Sequence, residues 1–158
     1  MANNKKETEL QSKVCKWLRQ KGIIFISDFA AGLYFENPYI RNLRQSQACE
    51  GKYLDLTILL PVYPYHALIL ELKASQNDLF LKDGKKLKSD HVQEQYNMIK
   101  NLRELGYFAD FTTGYDDTIN IINDYMNDNF YYKSIIERKI KVDKLDTKAN
   151  DFFTKNGL

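Results

Sequence analysis

Residues 54–73 read LDLTILLPVYPYHALILELK, two apolar runs joined by a connection that contains two prolines. The runs Leu54–Leu60 and His66–Lys73 are rich in β-prone residues, whereas the connection PVYPY is only five residues long. This pattern predicts an antiparallel hairpin. The density of apolar residues places its two strands at the centre of a sheet.

The segments around the hairpin have helical or strand periodicity. Apolar residues recur at three- and four-residue spacing from Glu7 to Lys21, and again after Ser89 or Asp90, the candidate caps of a helix that ends at Gly106. Further strands are predicted at Ile23–Ile26, as a buried strand, and at Tyr107–Thr112, and a last helix opens in GYDD at 114–117. The predicted order is α-β-loop-β-β-α-β-α, with a long functional loop at 27–53.

Length and composition indicate one ordinary folded domain. The chain has 158 residues, and 44% of them are hydrophobic, which excludes disordered and fibrous classes. A net charge of +2 does not by itself argue for nucleic acid. Neither a membrane span nor a secretory signal is visible, so we expect no membrane partner and a cytoplasmic location.

The chemistry is concentrated at one end of the predicted hairpin. Glu71 and Lys73 alternate with leucines and therefore share one face of their strand, and the hairpin brings Asp55 beside Glu71. Two neighbouring carboxylates are most easily kept ionised by a hard cation such as magnesium. Spacing alone gives equal weight to an alternative in which Glu71 and Lys73 form an ion pair at a solvated strand end.

The metal interpretation leads to phosphodiester cleavage. Magnesium held by Asp55, Glu71 and the backbone carbonyl of Leu72 could activate water and polarise a phosphoryl oxygen. Lys73 could orient the attacking water or neutralise charge that develops on the phosphate.

The order of these residues resembles a known family. Asp55…Glu71-Leu72-Lys73, with Glu9 on a preceding helix and Gln95 on a following one, is similar to the VRR-NUC family of the PD-(D/E)XK nuclease superfamily. The similarity runs from about Glu7 to about Met126 and includes the segments DLFLKDGKK and HVQEQYNMIKNLRELGYFADFTTGYDDTINII. It implies a restriction-endonuclease-like α/β fold, in which helices flank a mixed central sheet.

The resemblance also implies residue roles. Asp55 and Glu71 would be metal ligands and Lys73 the catalytic lysine. Glu9 would be the helix carboxylate that reaches the metal, directly or through water, and Gln95 the amide that positions the nucleophile or a ligand. Glu7 competes with Glu9, whose E-L-Q order fits the family better, and Gln93 competes with Gln95, whose distance to Gly106 suits the family helix.

Two parts of the chain depart from the family. Where members have Gly-x-Pro-Asp, this sequence has Gly51-Lys52-Tyr53-Leu54-Asp55, which lacks the proline but no ligand. The similarity does not cover residues 131–158. We therefore divide the chain into a nuclease domain at 1–130 and an extension at 131–158 that is expected to pack on the same domain.

Positive charges and rings in the predicted loops are candidates for nucleic-acid contacts, with simple solvation as an equally weighted alternative. They are Arg41, Arg44, Lys52, Lys82, Lys85, Lys86 and Lys88 for phosphates and Tyr34 or Tyr39 for a base. His91 and Asp28 are more simply explained as a helix-start polar group and a turn residue.

The resulting hypothesis is a magnesium- or manganese-dependent endo- or exodeoxyribonuclease of replication or repair in a phage or bacterium. Branched, flapped or junction DNA is the substrate that the family suggests, and a two-fold junction would suit a homodimer. Two alternatives stay open. One is a module with a nuclease fold that binds DNA or a protein partner without cutting, and the other is an interaction protein that works through its aromatic loop and its Phe152-Phe153 tail.

Overall fold

A computed structural model describes residues 2–27, 53–81 and 87–129. These ranges hold a four-stranded mixed sheet with three helices around it, which confirms the predicted fold class. The strands are β1 Phe25–Ser27, β2 Leu56–Ile58, β3 Leu68–Lys73 and β4 Phe108–Thr113. The helices are α1 Ala2–Gln20, α2 Asp90–Glu104 and α3 Gly114–Met126, and a short 3-10 helix spans Gln76–Asp78.

The sheet has the order β1-β2-β3-β4, with antiparallel pairing except between β3 and β4. The predicted hairpin of β2 and β3 is confirmed, in the register Leu56↔Leu70. Helix α2 connects β3 to the parallel strand β4, where Lys73 lies opposite Thr113. The N-terminal end of β2 and the C-terminal ends of β3 and β4 therefore lie side by side.

Two apolar clusters cover the two faces of the sheet. On one face α1 and α3 pack against the leucines of β2 and β3, and Leu18, Leu70 and Ile122 are fully buried there. On the other face α2 packs through Ile99 against Ile69 and neighbouring side chains. Because strand side chains alternate, even-numbered residues of β3 face α1 and α3, and odd-numbered ones face α2.

Two boundaries differ from the sequence-based expectation. Helix α1 begins at Ala2 and not at Glu7, because a polar segment without proline or glycine can continue a helix in solvent. The strand expected to be buried is the edge strand β1, where Ile24 and Ile26 are exposed while Phe25 packs on the core. Among the described residues, neither core cluster includes Ile24 or Ile26, and a run of apolar residues does not reveal that difference from Phe25.

Helix α2 has the ends that its sequence predicts. The Ser89 hydroxyl caps the helix by accepting a hydrogen bond from the Val92 amide at 3.3 Å. Gly106 follows the last turn with a φ of +82°, in the left-handed region. The division of the chain at residue 130 stays a prediction, because 131–158 lie outside the described residues. Within the described part, no helix is long and apolar enough to span a membrane.

Candidate active site

The hairpin register brings the two predicted carboxylates together. Since Leu56 pairs with Leu70, the preceding Asp55 comes beside Glu71. The Asp55 carboxylate accepts a hydrogen bond from the Leu72 amide, 2.9 Å from Oδ2. The N–H and C=O of one strand residue point to the same edge, so the Leu72 carbonyl lies on the Asp55 side. Asp55, Glu71 and the Leu72 carbonyl thus occupy neighbouring positions of the hairpin.

Glu71 and Lys73 form a buried ion pair on the face of β3 that α2 covers. Nζ of Lys73 lies 2.8 Å from Oε1 of Glu71. Lys73 is only 6% exposed and Glu71 only 2%. Removing two charges from water is unfavourable even when they are paired. A solvated pair at a strand end, the alternative that spacing left open, does not describe this geometry.

Gln95 enters the same site from α2. Its Nε2 donates a hydrogen bond to Oε1 of Glu71, the atom that also accepts from Lys73. Gln93, the competing candidate, is exposed and bonds to Asn97 one turn further along the helix. The structure therefore brings Gln95, and not Gln93, to the carboxylates.

Two buried oxygen atoms of this group have no hydrogen-bond partner among the described residues. They are Oε2 of Glu71 and Oε1 of Gln95. Buried polar atoms in folded proteins are nearly always hydrogen-bonded or bound to an ion or water. Carboxylate and amide oxygens are hard ligands, so this donor set fits a magnesium or manganese ion.

The electrostatics of the site centre on Glu71. Burial, reinforced by the charge of Asp55, raises the pKa of Glu71 to about 8. Burial, the largest single influence, lowers the pKa of Lys73, but the charge and hydrogen bond of Glu71 together with the charges of Glu7 and Asp55 outweigh it, so the pKa lies above its ordinary value. Lys73 therefore stays protonated near neutral pH, and a cation bound beside Glu71 would favour the ionised form of its carboxyl group over the protonated one.

The described residues contain no group of three or more histidine, cysteine, aspartate or glutamate side chains arranged to hold a metal. The site offers two carboxylates, a backbone carbonyl and an amide oxygen instead. Magnesium characteristically binds through one or two carboxylates and completes its shell with water and substrate phosphate. The ligand set thus suits magnesium better than a closed structural metal site.

Comparison with proteins of known structure supports the same architecture. A VRR_NUC domain protein aligns with this chain at a TM-score of 0.51 and 22% sequence identity. The alignment covers 77% of this chain and 88% of the other. The chain has a VRR-NUC-like fold. Scans against protein-family models and curated protein sequences found no match.

Within this VRR-NUC-like fold, the helix carboxylate whose charge acts on Glu71 and Lys73 is Glu7, the competitor of the predicted Glu9. Glu9 is exposed, whereas Glu7 is half-buried. Burial raises the pKa of Glu7, and the charges of Lys73 and Asp55 act on it with opposite signs. Helical periodicity could have found this: Glu7 precedes Leu10 by three residues and shares the packed face of α1.

Gln11 is a further polar residue at the site. From the sequence alone it is only the last residue of the E-L-Q order and has no assigned role. Its Nε2 bonds to the Ser27 hydroxyl at 2.8 Å and to the Asp55 carbonyl at 3.3 Å. It thereby ties α1 and β1 to the turn that carries a proposed metal ligand. Gln11 is one helical turn from Glu7, so the two form a polar strip beside the apolar face.

Asp78, in the 3-10 helix after β3, also borders the site. Its Oδ2 accepts hydrogen bonds from the amide and hydroxyl of Ser75, and its Oδ1 lies 3.4 Å from Nζ of Lys88. Its charge contributes to the raised pKa of Glu7. Lys88, predicted to contact phosphate, is thus engaged in an ion pair at the rim of the site.

The remaining candidates fall in two groups. His91 is described and its side chain is exposed in the first turn of α2. The other loop residues lie outside the described ranges, and their roles stay predictions. These are Asp28, Tyr34, Tyr39, Arg41, Arg44, Lys52, Lys82, Lys85 and Lys86.

Proposed function

We propose that the protein is a divalent-metal-dependent nuclease that hydrolyses phosphodiester bonds of DNA. One observation carries the proposal: Glu71 and Lys73 are buried as a pair beside Asp55, with a carboxylate oxygen that no described residue satisfies. Apolar side chains of similar volume would stabilise a fold at least as well as such a pair. A chemical role explains why charged groups occupy these positions, and the VRR-NUC-like fold is in keeping with that role.

Magnesium is the cofactor that we propose, with manganese as a substitute. The carboxylates of Asp55 and Glu71 and the carbonyl of Leu72 would hold it. When bound, the ion supplies Lewis acidity that polarises a phosphoryl oxygen and lowers the pKa of water. The Leu72 amide fixes the Asp55 carboxylate in place, as expected of a ligand that is oriented before binding.

Lys73 acts as a fixed positive charge. Because its pKa is raised, its ammonium group is a hydrogen-bond donor and not a general base. The contact with Oε1 of Glu71 sets the position of Nζ, which can donate to the attacking water or to a phosphate oxygen as negative charge develops there.

Gln95 and Glu7 position the reacting groups. The Gln95 amide holds Oε1 of Glu71 and leaves Oε2 available to the site. Glu7 adds a half-buried carboxylate whose pKa is raised by burial, which makes it a stronger base than an exposed glutamate. We assign Glu7 the role that the sequence resemblance implied for Glu9.

We further propose DNA with branched, flapped or junction structure as the substrate, in replication or repair. A homodimer in the cytoplasm would suit a two-fold junction. These finer assignments rest on the resemblance to VRR-NUC nucleases and on the likeness of fold.

The decisive experiment is cleavage of end-labelled linear, flapped and four-way-junction DNA in magnesium, manganese or EDTA. Glu71→Gln, which keeps the shape of the side chain, should abolish cutting, and Glu94→Gln on the exposed side of α2 is the matched control. Cutting that requires both the metal and Glu71 establishes the nuclease.

Three results would contradict the proposal. Cutting that survives Glu71→Gln assigns the activity to a contaminant or to another site. Binding without cutting, on every DNA and with both metals, would favour the alternative of a non-catalytic DNA-binding module. Absence of both binding and cutting would favour a partner-binding module.

A further inference from the structure

Tyr53 is an aromatic residue next to the candidate site that the proposed chemistry does not use. It precedes Asp55 by two residues, and its side chain is 45% exposed. Its hydroxyl shares a hydrogen bond with Oγ1 of Thr57 at 3.0 Å. Among the described residues, neither apolar cluster of the core includes its ring.

The position of Thr57 shows on which face of the sheet the Tyr53 ring lies. Thr57 is buried in β2 and pairs with Ile69, whose side chain belongs to the cluster under α2. This is also the face that carries Glu71 and Lys73. The hydrogen bond to Thr57 therefore holds the Tyr53 hydroxyl on this face, and Tyr53 precedes the proposed metal ligand Asp55 by only two residues.

The chemistry of Tyr53 suits contact with a nucleobase. An aromatic residue contributes most to a fold when its ring is packed and its polar end is wet. Tyr53 has the opposite arrangement: its hydroxyl is tied to a buried threonine while much of its side chain is open to solvent. A ring fixed at one end in this way loses little conformational entropy when another flat group stacks on it.

We propose that Tyr53 is a stacking platform for an unpaired base of the nucleic-acid substrate, adjacent to the phosphate that is cut. The inference rests on the proposed nuclease function and adds a positioning residue to it. Base–aromatic stacking tolerates any base, since every base has a π-face. It requires that the base be free of its duplex neighbours, because stacked pairs cover those faces.

Steady-state cleavage of a single-stranded oligodeoxynucleotide tests the role. Tyr53→Leu should raise KM on the order of 10-fold to 100-fold and change kcat much less, because stacking acts mainly in binding. Tyr53→Phe keeps the ring and loses only the hydrogen bond to Thr57, so its KM should lie between those of the unaltered protein and of Tyr53→Leu. Tyr63→Leu, at a tyrosine that is 90% exposed near the turn of the β2–β3 hairpin, is the matched control and should change neither constant.

A photochemical measurement separates stacking from a merely structural role. Oligodeoxynucleotides with 5-iododeoxyuridine at successive positions are irradiated in magnesium on the full chain carrying Lys73→Met, which we expect to bind DNA and to cut it much more slowly than the unaltered protein. The cross-link should map to Tyr53 for one position of the probe. Adding Tyr53→Leu to the same chain should remove this cross-link.

The outcomes distinguish this inference from the function on which it rests. If the unaltered protein cuts DNA and Tyr53→Leu leaves KM unchanged, or the cross-link maps to another residue, Tyr53 is not the platform and the nuclease stands. If the unaltered protein neither binds nor cuts, the proposed function itself fails. Should Tyr53→Leu not fold, the cross-link on Lys73→Met still decides, because that chain retains Tyr53.

Discussion

At the scale of single residues, the surroundings of Lys73 fix both its charge and its position. Its Nζ lies 2.8 Å from a carboxylate oxygen of Glu71, and that neighbour keeps its pKa above the ordinary value despite burial. Its side chain is already held in place before any substrate arrives, so little reorganisation is needed when negative charge develops nearby. Replacing Lys73 is therefore a strong test of the proposed mechanism.

Replacing Lys73 by methionine removes the charge and keeps an unbranched apolar stem. We expect kcat to fall by about 100-fold to 1,000-fold, as is typical when one donor to a developing charge is lost, with a smaller change in KM. Initial rates of DNA cleavage measure both constants. Lys100→Met, at an exposed lysine of α2, should match the unaltered protein. Equal rates in the Lys73 variant would refute the assigned role.

Glu7 and Glu9 offer a matched pair on one helix. Glu7 is half-buried and electrostatically coupled to Lys73 and Asp55, whereas Glu9 is exposed. Glu7→Gln should lower the rate or the apparent magnesium affinity on the order of 10-fold to 100-fold, the usual effect of groups that support a metal site. Titrations of the cleavage rate with magnesium measure this. Glu9→Gln should change nothing, and the reverse result would restore the family-based assignment.

At the scale of elements, helix α2 must end correctly to place Gln95 over β3. Gly106 ends it with a φ of +82°, and a Cβ there would come within 2.9 Å of Nε2 of His66. Gly22, after α1, has a φ of +68° and open space around it. The two glycines share the backbone requirement and differ only in the neighbour.

Alanine at either glycine should therefore separate backbone strain from crowding. Gly22→Ala should lower the free energy of unfolding by about 1–2 kcal/mol, the cost of a left-handed residue with a Cβ. Gly106→Ala should lower the free energy of unfolding by more than Gly22→Ala does. In a protein that already carries His66→Ala, Gly106→Ala should lower it only about as much as Gly22→Ala does. Urea denaturation measures all of them. If His66→Ala gives no relief, the crowding argument is wrong.

The elements also show what the sequence could and could not predict. The hairpin, helix α2 with a cap at Ser89 or Asp90, and a strand at the position of β4 follow from apolar spacing and turn residues, which act locally. The position of β1 at the edge of the sheet depends on which strands pair. The run Ile23–Ile26 itself does not indicate which strands it pairs with. Sheet order is set by contacts between distant segments, so local patterns leave it open.

At the scale of the whole molecule, the same limit applies to the site. The spacing of Asp55, Glu71 and Lys73 was sufficient to place them together, because all three belong to one hairpin. Choosing Glu7 over Glu9 required the orientation of α1 against the sheet, and Gln11 was visible only through its contact with Asp55. The site is thus a hairpin whose chemistry is completed by two helices, one from each face of the sheet.

Protonation of Glu71 is linked to the stability of the whole fold, because the pKa of its buried carboxyl group differs from that in the unfolded chain. Burial and Asp55 raise its pKa from 4.5 to about 8, so between these values the folded protein binds more protons than the unfolded one. Stability from this group is therefore fully present below about pH 4.5 and is lost as pH rises through 8. The raised pKa of Glu7 acts in the same direction.

We accordingly expect the Tm of the metal-free protein in EDTA to fall from pH 5.5 to pH 8.5, measured by circular dichroism. Glu71→Gln, whose amide does not titrate, should lose most of this slope, whereas the exposed Glu94→Gln should keep it. Magnesium should raise Tm more at pH 8.5 than at pH 5.5, because the ion competes with the Glu71 proton. A Tm that rises with pH in EDTA, or a slope that survives Glu71→Gln, would show that the Glu71 carboxyl is not the group that couples folding to pH.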